Sequence, residues 1–163
     1  MDILRAIQAD LKEWVGTVRG QISIAKDPWN VLEILAESPS GLRAILHWAG
    51  DKQLGDRDDA PLATANVEVI LGYSMGLSKD PGSDLVNAQF NARPAVLDLV
   101  SDLRGRLLSI PLNSDPENPD EAAETLRNVG AEPVTLPDGT PTHAYRLKFE
   151  LDHALPEYTV RAT

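Results

Sequence analysis

The chain has 163 residues, 42% of them hydrophobic, with three Trp, three Tyr and two Phe and a formal net charge of -10. That length suits one domain with an aliphatic core, and the acidic balance disfavours a surface that grips phosphates, so specific DNA binding is not expected. There is no cysteine, which excludes disulfides, thiolate metal sites and thiol catalysis. No apolar run approaches the roughly 18 residues that span a bilayer, and no basic-then-apolar leader opens the chain, so a soluble protein made in the cytoplasm is expected.

Ile3, Leu4, Ile7, Leu11, Trp14, Val15 and Val18 recur at helical spacing and predict an N-terminal amphipathic helix, with Asp2 placed to cap it and Gly16 and Gly20 near its end. Asp27-Pro28 reads as an N-cap followed by a first-turn proline, opening a short helix through Trp29, Leu32 and Leu35 to about Glu37. Trp14, Trp29 and Trp48 each complete an apolar face and are assigned to core packing.

The segment from Leu42 to Ala49 is apolar and bounded by turn residues, as expected of a strand with Leu42, Ala44, Leu46 and Trp48 on one face. Residues 51–61 are polar, acidic and closed by proline, which predicts an exposed loop. From Ala65 to Leu77, Val67, Val69, Leu71, Tyr73 and Met75 alternate with other residues along a long strand. Residues 78–84 break it. A second amphipathic helix then follows from about Pro94, with Val96, Leu97, Val100, Leu103, Leu107 and Leu108 as its stripe.

Residues 113–124 hold two prolines and many acids and no large apolar side chain, so a second exposed acidic segment is expected. One or two strands fall between Leu126 and Leu136, before a turn at Pro137-Asp138-Gly139. The clearest strand comes last, from Thr142 to Asp152. Tyr145, Leu147, Phe149 and Leu151 form its apolar face, and Arg146, Lys148, Glu150 and Asp152 its charged one. Strands in runs interrupted by a helix predict one α+β domain over residues 1–163, with an antiparallel or mixed sheet of about four strands packed on two main helices.

Chemical motifs are sparse. The acids Asp56, Asp58 and Asp59, and those of 113–124, do not follow the calcium-loop order of acids with a central glycine and a final glutamate. His47, His143 and His153 show no i, i+4 pairing, and neither a GxGxxG nor a P-loop is present, so no metal or cofactor is implied. Ser74 lies in Gly72-Tyr73-Ser74-Met75-Gly76, which has the spacing of a hydrolase nucleophile elbow. That motif needs a strand-to-helix turn, whereas here the strand alternation runs through Ser74, so the glycines read better as a bulge or a close backbone contact.

Three segments, ANVEVILGYSMGL, ARPAVLDLVSDLRGRLL and HAYRLKFELD, follow an N-terminal helix in an order that resembles phage tail terminator, or tail completion, proteins. The resemblance implies a non-enzymatic subunit of the virion neck that forms a homo-oligomeric ring, usually a hexamer. Such a ring would cap the last ring of tail-tube protein and offer its other face to the head-tail connector protein. In such a ring the outward row Arg146, Lys148, Glu150 and Asp152 is a candidate subunit seam, and Asp56, Asp58 and Asp59 are candidate contacts to neighbouring rings. An acidic lumen would let DNA pass without specific binding. The alternatives are another head-tail neck component, a small serine hydrolase using Ser74, and a monomeric adaptor.

Overall fold

A computed structural model describes residues 2–37, 41–53, 62–74, 95–110, 126–137 and 142–154. These form an α+β fold of three helices and one five-stranded mixed sheet. In chain order they are α1 (Asp2–Thr17), β1 (Gln21–Ala25), α2 (Pro28–Glu37), β2 (Gly41–Gln53), β3 (Leu62–Ser74), α3 (Val96–Leu108), β4 (Arg127–Pro133) and β5 (Thr142–Ala154).

The sheet order is β1-β2-β3-β5-β4. β1 is the strand beyond the expected four, a five-residue piece between two helices that carries only Ile22 and Ile24 as large apolar residues. It pairs in parallel with β2 because the α2 crossover returns the chain to the same end of the sheet before β2 begins. All other pairings are antiparallel, with β3 central and matched to β5 from Leu62↔Ala154 to Ser74↔Thr142.

α1 ends where Arg19 takes a left-handed φ of 56° and the Gly20 N–H returns 2.7 Å to the Val15 carbonyl, which satisfies an otherwise unpaired helix-end acceptor. α2 starts as its sequence predicts, with Asp27 Oδ1 accepting from the Asn30 N–H at 2.7 Å. β2 runs past the expected end at Ala49. It crosses an irregularity between Trp48 and Asp51, with Gly50 at φ 98°, and pairs on to Gln53. Asp51 to Gln53 are therefore strand, while the rest of the expected 51–61 loop lies outside the described residues. The same holds for 78–84, 113–124, and Asp138 and Gly139 of the expected turn.

One sheet face is covered by α1 and α3. Ile7, Leu11, Trp14 and Val15 of α1 and Val96, Leu99, Val100, Leu103 and Leu107 of α3 close over Leu46, Val67, Val69, Leu71, Leu147 and Phe149. The expected α3 stripe needs one correction: Leu99 is buried, whereas Leu97 and Leu108 are exposed, because the i, i+3, i+4 row through Val96, Val100, Leu103 and Leu107 leaves them on its flanks. Among the described residues the opposite face is covered only in part. There α2 lays Val31 and Leu35 on Ala25, Ile45, Ile70 and Ala144.

Trp14 is buried and Trp48 packs against the main core, as expected. Trp29 does not. It is 71% exposed, because the cap at Asp27 fixes the phase of α2 with Val31 inward, and two positions along a helix is a turn of roughly 200°.

Candidate functional site

The half of the sheet face that α2 leaves uncovered carries the charged row read from the sequence. The register sets His47 opposite Glu68, Glu68 opposite Lys148, and Arg146 between Ile70 and Glu132. Alternation on β3 and β5 makes this face polar, since the odd-numbered neighbours Val67, Val69, Leu147 and Phe149 are committed to the core.

Arg146 and Lys148 are engaged within the subunit. Lys148 Nζ lies 2.9 Å from Glu132 Oε1, Arg146 Nη1 donates to the same oxygen at 3.4 Å, and Arg127 pairs with Glu150 at 3.7 Å. The hydrogen bond from Lys148 and the nearby cations hold the Glu132 carboxyl below the usual glutamate range. On the inner side, buried His47 Nδ1 lies 3.1 Å from Glu68 Oε2, and that contact is made by an Nδ1–H donating to the carboxylate. Arg146 Nε is buried 3.5 Å from the same Glu68 oxygen, an ion-pair distance without a hydrogen bond.

Three acids (Glu68, Glu132, Glu150) thus interleave with three bases (Arg127, Arg146, Lys148), and the patch is close to neutral as a whole. Such a lattice ties β4 to β5 and presents an ordered polar surface to whatever meets it. Of the sequence-predicted seam, Arg146, Lys148 and Glu150 belong to this lattice, and Asp152 sits on β5 opposite Thr64. Asp56, Asp58 and Asp59 lie outside the described residues.

A second polar region lies between α1 and α3, where Trp14, Thr17, Asp98, Ser101, Asp102, Gly105, Arg106 and Ser109 line an open groove. Trp14 Nε1–H donates to Asp102 at 2.7 Å, and Arg106 clasps Asp10 through Nε at 2.8 Å and Nη2 at 3.0 Å, with Glu13 3.4 Å away. The hydrogen bond to Asp10 leads the causes that raise the Arg106 pKa above its usual value, so it stays cationic at any working pH. These bonds fasten two helices together.

Ser74 is the last residue of β3, paired with Gly41 and Thr142 in the ladder, and Met75 and Gly76 lie outside the described residues. Gly72 explains part of that motif: a Cβ there would come within 2.5 Å of Leu35 Cδ2, so the bare strand is where α2 sits down. Among the described residues no group of three His, Asp or Glu side chains converges as a metal site, and no helix is long and apolar enough to cross a membrane.

His47, Glu68 and Glu132 were not singled out in the sequence as members of a site. The available signal was Glu68, a charge at an outward position of an otherwise apolar strand, but its partners come from strands 21 and 78 residues away. In comparison with known proteins, the chain matches no family model and no curated protein.

Proposed function

We propose that this chain is a phage tail terminator, a structural subunit that forms a ring on the end of the tail tube, stops its growth and gives the head-tail connector a surface to join. The observation that carries the reading is the resemblance in element order, from an N-terminal helix through the β3 strand and the α3 helix to the β4–β5 hairpin. The mixed sheet supports it, since among the described residues its two outer strands each have one side without a partner strand and so leave room for lateral contacts between subunits. The formal charge of -10 supports an acidic lumen through which DNA slides.

Under this reading the protein acts without catalysis, in the virion neck. Deleting the gene and imaging the products tests it: tails of uncontrolled length, or heads left unjoined, are expected. Tails of normal length on joined heads would refute it, and normal tails on unjoined heads would move the protein to another component of the neck.

A further inference from the structure

We infer that subunits join head to tail, the outer edge of β1 in one copy pairing antiparallel with the outer edge of β4 in the next, each edge having no partner strand among the described residues. The pairing rests on the ring reading for its biological use and on the direction and exposure of the two edge strands for its geometry. Along the sheet the strands run β1 up, β2 up, β3 down, β5 up and β4 down. Setting a second copy beside the first in the same orientation therefore brings β4 against β1 as antiparallel neighbours, the arrangement whose hydrogen bonds are better aligned. A contact between two different edges is heterologous, and heterologous contacts repeat from copy to copy, closing as a ring where the rotation per subunit divides a full turn.

Both edges expose an apolar residue that the isolated subunit does not cover, Ile24 at 56% on β1 and Val129 at 55% on β4. One end matches in charge: antiparallel apposition sets Arg19, before β1, at the Glu132 end of the neighbouring β4. The irregularity between Asn128 and Gly130, and Pro133 at the end of β4, keep the shared ladder short, so side chains supply much of the specificity.

The chain has no cysteine, so single thiols report the seam cleanly. Ile24→Cys and Val129→Cys are purified separately, mixed at high concentration and oxidised mildly. Cross-linked dimer is expected only in the mixture, and the double variant is expected to ladder to a closed ring, while Ile24→Lys shifts the mass by light scattering to that of a monomer. Cross-linking of Ile24→Cys with itself would mean two-fold pairing of β1 and would overturn the proposal. Cross-linking of Val129→Cys with itself, or no cross-link between variants whose circular dichroism matches the parent, would overturn it equally. Covalent rings that fail to end tails when supplied to a deletion strain would remove the cap and leave the seam standing.

Discussion

Gly72 and Glu132 show two ways in which a single residue constrains this fold. At Gly72 the constraint is steric, because Leu35 is 1% exposed and its Cδ2 occupies the space a Cβ would need. Gly72→Ala is expected to destabilise the protein by about 1–3 kcal/mol through overpacking, read as a lower urea midpoint at an unchanged slope. An unchanged midpoint would mean that Leu35 swings aside at no cost. At Glu132 the constraint is electrostatic and sits on an exposed surface. Its pKa is lowered by the Lys148 hydrogen bond, so its contribution is present above the ordinary glutamate pKa and is lost as pH falls through the lower folded value. The stability gap between the parent and Glu132→Gln should therefore narrow as pH drops below the ordinary glutamate range. A gap constant from neutral to acid would show that the carboxylate contributes nothing through its charge.

Between elements, the α1–α3 contact offers the sharpest test. The bidentate clasp of Asp10 by Arg106 joins residues 96 apart in sequence and is partly buried, so Arg106→Ala should cost about 1–2 kcal/mol in urea unfolding. Arg106→Lys should recover only part of this, since an ammonium cannot make the two parallel bonds, and full recovery would reduce the clasp to simple charge. Neither partner is marked in the sequence, because helical periodicity shows which residues face inward but not which distant residue meets an outward one. The same limit separates what could be read from what could not. α1, β2, β3, α3 and β5 were legible because each repeats apolar residues over many positions at one period, Leu147 and Phe149 against Arg146 and Lys148 being the plainest case. β1 has only two such residues, and its strand character depends on pairing with β2. Counting Trp29 and Leu97 into the apolar face of their helices turns them inward, yet the phase of each helix is set by its other apolar residues and its start. The charged row on β5 was visible as a face, but its pairing with Glu68 and Glu132 required the sheet order.

For the whole molecule, the position of each strand in the sheet predicts a gradient of local stability that the proposed assembly would alter in one specific way. β3 is paired along its length on both sides, to β2 and to β5, and lies against the main core through Val67, Val69, Leu71 and Tyr73. Its amides can exchange only when the sheet comes apart, so in the isolated subunit they should be the slowest and should report global unfolding. Among the described residues β1 and β4 each lean on one neighbour, and β1 is only five residues long. Opening there breaks few bonds and exposes little core, so their amides should exchange by local opening, well before those of β3. If copies join through these two edges, assembly adds a second neighbour to β1 and to β4 and nothing to β3. Hydrogen exchange on Ile24→Lys, held monomeric, against the assembled parent should then show slowed exchange confined to Gln21–Ala25 and Arg127–Pro133. Slowing spread evenly over the sheet would point to general stabilisation, and slowing centred on the α1–α3 groove would place the subunit contact on the opposite face.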